Sequence, residues 1–144
     1  MKVISDTNII ISAAVSSDGN PAKIFELILS GVIKNFISSE IINEIKEVME
    51  RDKIKKLVSF KDRQKIIENL EKFSEKVDPK VKLDIVKEDP KDNKFLECAV
   101  TAKIDYLISG DEHLLNLKEF KGVKILSPLE FIQLFESHLD RAIL

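Results

Sequence analysis

Four carboxylates in this chain stand where strand-like and helix-like segments meet, and oxygen atoms brought together in that way are the makings of a site for a hard cation. Asp6 directly follows the apolar run Val3-Ile4-Ser5 and precedes Thr7-Asn8. Glu44 lies in a helix-patterned segment after a second strand-like stretch. At about 100° per residue it falls near the border of the face formed by Ile41, Ile42, Ile45, Val48 and Met49. Asp92 precedes Phe95 and Leu96 by three and four residues and therefore shares their apolar stripe. Asp111 comes two residues after Ser109, with Gly110 between them to allow a tight turn. A lone carboxylate on a buried stripe is costly unless it is paired or bound to a cation. Oxygen donors without a histidine or thiolate partner select Mg²⁺ or Mn²⁺ rather than zinc or copper.

Each acid also has an ordinary explanation. Asp6 is placed to cap the next helix, and Glu44 could be a solvated border residue. Asp89 could cap the helix that starts near Pro90, with Asp92 completing a box-like arrangement, and Asp111 falls inside a Ser109-x-x-Glu112 capping pattern. Ligand crevices of open α/β sheets lie outside the carboxyl ends of the strands. Acids recurring at such positions therefore imply one shared pocket.

Other chemistries find little support. Neither a phosphate-binding Gly-x-x-x-x-Gly-Lys-Ser/Thr loop nor a Gly-x-Gly-x-x-Gly turn is present, and there are only 4 glycines with which to build one. His113 and His138 have no neighbouring ligand pattern; His113 reads as an exposed helix-start residue. Cys98 is the sole cysteine, which excludes an internal disulfide and a thiolate zinc cluster, and its place beside Ala99 and Val100 suits packing. An aspartyl-phosphate phosphatase would use an aspartate after the first strand, but it wants a second aspartate where Asn8 stands. A non-catalytic RNA- or protein-binding module is the remaining alternative. It gives no reason for all the acids to be kept.

The elements that must position these residues follow from periodicity and punctuation. Strands are expected at Lys2–Ser5, residues 32–37, around Val81, Leu83 and Ile85, at Tyr106–Ser109 and from Gly122 to Leu126. Helices are expected from Ile9 to Val15, from an Asn20 cap with Pro21 at its first position, after Ser38 or Ser39, and through 52–77 behind a cap at Asp62. Others are expected from Pro90 to Lys103, near Leu114-Leu115, and from the Ser127-Pro128-Leu129-Glu130 box to about Ser137. Alternation of this kind predicts an α/β fold, a three-layer α/β/α sandwich with a mostly parallel central sheet, plus a helical lobe at about 52–77. With 144 residues the chain suits one domain over 1–144, burying roughly two-thirds of its unfolded surface. An apolar share of 44% and a charged share of 33% fit a soluble globular protein. No apolar run is long enough to span a bilayer and no signal-peptide pattern opens the chain, so a cytoplasmic location is expected. The net charge of -2 means that any polyanion must be held locally. Lys53, Lys55, Lys56, Lys91 and Lys94 are candidates to guide one. The segment from Asp140 to Leu144 is expected to be a loose tail or a docking element.

Taken together, Val3-Ile4-Ser5-Asp6-Thr7-Asn8, Glu44, Asp89-Pro90-Lys91-Asp92-Asn93-Lys94-Phe95-Leu96-Glu97 and Leu107-Ile108-Ser109-Gly110-Asp111 resemble a PIN-domain ribonuclease, in particular the VapC-like nucleases of toxin-antitoxin systems. The resemblance runs from residue 2 to about residue 135. It implies an acidic quartet of Asp6, Glu44, Asp92 and Asp111 that serves both as catalytic residues and as ligands of Mg²⁺ or Mn²⁺. It also implies Asn8, Asn93 and Ser109 as pocket neighbours and Asp89 as a further acid. Ser109 stands where many relatives carry threonine. The activity implied is metal-dependent endoribonucleolytic cleavage. The implied partners are an RNA substrate, an antitoxin protein and a second copy of the chain, with no membrane involved.

Overall fold

A computed structural model describes residues 1–143, and the last residue of the expected tail, Leu144, lies outside them. Strands β1 (Lys2–Ser5), β2 (Lys34–Ile37), β3 (Ser74–Lys76), β4 (Tyr106–Ile108), β5 (Glu119–Phe120) and β6 (Val123–Leu126) form one sheet in the order β3-β2-β1-β4-β6-β5. All neighbours are parallel except the β5–β6 pair. The helices are α1 (Thr7–Val15), α2 (Asn20–Leu29), α3 (Ser39–Met49), α4 (Asp52–Leu57), α5 (Phe60–Phe73), α6 (Asn93–Ala102), α7 (Glu112–Leu115) and α8 (Pro128–Ile143), with a 3₁₀ turn at Pro90–Asp92 before α6. The fold is the expected mostly parallel α/β sandwich.

Alternation along the central strands sends side chains to two cores. Ile4 and Leu107 join the larger one, built with Ile41, Ile45 and Met49 of α3, Leu70 of α5 and Phe95, Leu96 and Ala99 of α6. Val3 and Ile108 face the other, with Ile24 and Ile28 of α2 and Phe131 and Ile132 of α8. Because β1 is covered on both sides, its residues Val3 and Ile4 are fully buried. Ser38 caps α3 by accepting from the Ile41 amide, and Ser127 and Glu130 exchange hydrogen bonds in the expected capping box of α8.

Several local expectations are corrected. Gly19, not Asn20, occupies the cap position of α2, and Ser59 rather than Asp62 caps α5, its hydroxyl accepting from the Asp62 amide. The helical stretch ends at Phe73. Residues 74–76 add a parallel edge strand to β2, pairing Phe36 with Glu75, whereas Val81, Leu83 and Ile85 lie in no strand. The misleading alternation has a physical source. The 83–86 backbone lies outside any strand and is bonded to side chains of α6: Glu97 accepts from the Leu83 amide, and Asn93 accepts from the Ile85 and Val86 amides. Strand β5 left no alternating signal, since it is two residues long and its hairpin places Lys118 and Lys121 at positive φ beside Gly122 at φ 84°. Gly110, in contrast, has no positive φ. Helix α8 continues past Ser137 through Asp140 and Arg141.

Phe131 fastens α8 to the sheet, fully buried, edge-on to Tyr106 and stacked on Phe135. Phe131→Ala should therefore lower stability by roughly 3 to 5 kcal/mol, measured as a shifted urea midpoint with unchanged slope.

Candidate metal centre

The carboxyl ends of β1 and β4 meet at the site. Their register pairs Ser5 with Ile108, and the Asp6 amide continues the ladder by donating to the Ile108 carbonyl at 3.0 Å. This sets Asp6 beside Ser109, whose hydroxyl donates to Asp6 Oδ2 and accepts from the Asp111 amide at 2.9 Å. Asp6 Oδ1 accepts from the Ile9 amide at 3.2 Å, so the residue caps α1 as well as facing the cleft. Asp111 caps α7 by accepting from the His113 amide at 2.7 Å. The ordinary and the functional explanations of these two acids thus coexist.

Asp6, Glu44, Asp92 and Asp111 all line one cleft of about 280 Å³, together with Asp89, Asn8, Arg51 and Lys91. Within it, Asp89, Asp92 and Asp111 each offer an oxygen, and these oxygens lie within 4.8 Å of one another. The turn at Pro90–Asp92 does this. It brings Asp89 and Asp92 to the same side, and the Asp89 side chain makes no capping bond there. Asp92 is only 9% exposed and its Oδ2 has no hydrogen-bond partner.

Burial and crowding of like charge raise the pKa values. Asp92 is pushed up to about 7, first by burial, then by the charges of Asp111 and Asp89. Asp6 rises to about 6, mainly through burial, against the opposing hydrogen bonds from Ser109 and Ile9. A buried orphan carboxylate oxygen beside two further carboxylates fits a hard dication, which would relieve the repulsion and fill the missing contact.

Glu44 has a different setting. Its Oε1 accepts from the Thr7 hydroxyl, and its Oε2 takes the Lys94 ammonium at 2.5 Å. Lys94, expected to guide a polyanion from the surface, is instead 8% exposed inside α6. Asn93, expected beside the pocket, turns its amide to the chain segment behind the site. It donates to the Val86 and Pro90 carbonyls as well as accepting from two amides. Thr7, Arg51 and the pairing of Lys94 escaped the sequence reading. The one available signal was a lysine set in the buried run Asn93-Lys94-Phe95-Leu96. His113 is exposed, and burial pushes the Cys98 thiol up to about 12, leaving it unreactive.

A parallel α/β sandwich with an acidic cleft at the carboxyl ends of its central strands is the class of protein these features define. Residues 2–113 match the PIN domain family, and the chain belongs to it. It is 31% identical over 149 residues to an uncharacterized protein of Methanocaldococcus jannaschii, covering 97% of this chain and 95% of that one. Its fold is similar to a chain in the crystal structure of VapBC2 from Rickettsia felis bound to a DNA fragment from their promoter. That likeness has a TM-score of 0.59 and 16% identity over 88% of this chain and 98% of the other. Among the described residues no helix is long and apolar enough to cross a membrane.

Asp6 and Asp92 bind their protons more tightly in the folded chain than an ordinary aspartate does, whose pKa is 3.8. Their contribution thus favours folding below about pH 4 and is lost as pH rises through about 6 and 7. Asp92→Asn should therefore stabilise the cation-free protein, by roughly 1 to 3 kcal/mol at pH 7.5 and by little at pH 4. Urea unfolding in EDTA at both pH values measures the difference.

Proposed function

We propose that this PIN-domain protein is an endoribonuclease that hydrolyses RNA phosphodiester bonds with Mg²⁺ or Mn²⁺, within one domain. The unpartnered, buried oxygen of Asp92 between Asp89 and Asp111 carries the reading. Asp6, Glu44, Asp92 and Asp111 are the proposed catalytic residues, with Asp92 and Asp111 as holders of the ion. The chemistry a bound dication supplies is charge neutralisation at the phosphate and acidification of a nearby water.

The chain's own residues do the rest. Asp92 holds a proton near neutral pH while no cation is bound, and would give it up on ion uptake, so affinity should increase as pH rises through about 7. Asp6 is fixed by Ser109 and by the amide of Ile9 and keeps its carboxylate at the cleft wall. Arg51 and Lys91 stand at the cleft and supply positive charge for neighbouring phosphates, while Val48 and Phe95 form an apolar part of the lining that limits water. Asn8 is exposed there and free to donate to a phosphate oxygen. The aspartyl-phosphate scheme is disfavoured, because Asn8 stands where it needs a second aspartate.

The sequence resemblance to VapC-like nucleases and the likeness in fold to VapBC2 support a wider reading: a cytoplasmic homodimeric toxin held in check by an antitoxin protein. Mn²⁺-dependent cleavage of a fluorescent RNA should be abolished by EDTA. It should fall on the order of 100-fold or more in Asp111→Asn and Asp6→Asn. Cleavage that survives equally in Asp6→Asn would identify a contaminant and overturn the assignment.

A further inference from the structure

Five acids line the cleft, but they are not equivalent. Asp89, Asp92 and Asp111 converge, whereas Glu44 is turned into an ion pair with a nearly buried lysine. Lys94 sits in the first turn of α6, where the positive end of the helix disfavours a cation. Its burial there needs compensation, which it finds in three places. The ammonium donates to Glu44 Oε2 at 2.5 Å and to the Lys91 carbonyl at 2.7 Å, and it lies 5.0 Å from the Phe95 ring centre. Thr7 occupies the other oxygen of Glu44. With both oxygens engaged, Glu44 has already met the charge it would otherwise seek in a metal ion. Asp92 has not, since its Oδ2 is buried and unpartnered.

We propose that Asp89, Asp92 and Asp111 hold the dication, and that Lys94 is a positioning residue that withholds Glu44 from it and keeps that carboxylate fixed at the substrate side of the cleft. This rests on the metal-dependent reading above and changes its ligand set: of the quartet that the sequence resemblance implies, Asp92 and Asp111 stay and Asp89 joins them, while Asp6 and Glu44 line the cleft without holding the ion. Removing Glu44 alone would strand the lysine charge beside the cleft. The informative variant is therefore the charge-neutral exchange of both partners, Glu44→Gln with Lys94→Met.

Mn²⁺ affinity, measured by calorimetry at pH 7.5 on the full chain without RNA, tests the assignment. Asp89→Asn and Asp111→Asn should each weaken binding by roughly tenfold or more. The Glu44→Gln/Lys94→Met pair should stay within about threefold of the parent chain, as expected for a neutral pair that makes no bond to the ion. Lys94→Met alone should bind Mn²⁺ more tightly, because it releases Glu44 and adds a net negative charge to the cleft; a lysine that only supported packing would give no gain. The inference is overturned if the paired variant loses as much as Asp111→Asn, if Asp89→Asn keeps the parental affinity, or if Lys94→Met shows no gain. Asp89 is only partly buried in a short turn, so its variant decides the ligand question even if the paired one fails to fold. A parent chain that takes up no Mn²⁺ overturns the proposed function and this inference together. Parental binding that Asp89→Asn leaves unchanged overturns this inference alone.

Discussion

The joint between the ends of β1 and β4 is the contact on which the rest of the site depends. One backbone hydrogen bond, from the Asp6 amide to the Ile108 carbonyl, keeps the two strands in register past their last paired residues. One hydroxyl, that of Ser109, then ties the Asp6 carboxylate to the Asp111 backbone. Both residues leave the sheet as caps of the helices that follow, so their directions are set by secondary structure rather than by loops. A buried hydroxyl that donates to one neighbour and accepts from another is fully used. Its location at zero exposure lets it set the Asp111 backbone beside the Asp6 carboxylate.

Much of the fold could be read from the sequence because its signals are local. The alternation and apolar runs of Lys2–Ser5 and Tyr106–Ile108, and the capping box at Ser127–Glu130, depend on residues within a few positions of one another. What could not be read was settled by partners far along the chain. Ser74–Lys76 is a strand only because β2 offers an edge to it, and the stretch around Leu83 to Val86 mimics a strand because Asn93 and Glu97 bond its amides. The chain saw a ladder's hydrogen-bond demand met by side chains, and the two cases are indistinguishable in a pattern of apolar residues.

The site divides in the same way. That Asp6, Glu44, Asp92 and Asp111 share one cleft follows from their positions at strand ends and on apolar helix faces. How their charges are balanced does not. Lys94 reads as one more surface lysine until α6 is packed against α3, which closes it over Glu44 across a separation of 50 residues. Asp89 reads as a helix cap or, by resemblance, as a further acid, and it is the 3₁₀ turn at Pro90 that sets it beside Asp92. Electrostatic pairing is a property of the tertiary arrangement, and sequence periodicity carries only the burial that makes it necessary.

The attachment of the 83–86 segment to α6 bears on how this lineage can vary in length. The side chains that tether it, Asn93 and Glu97, alternate along the helix with Lys94, which reaches Glu44, and follow directly on Asp92. An insertion between Leu83 and Asp89 would slide those amides off their acceptors and tug on the turn that carries the acids. The stretch around Asp78 to Lys80, whose side chains bond only each other at the surface, has no such obligation. Gains and losses of residues should accumulate in that earlier part of the crossover and spare the later one.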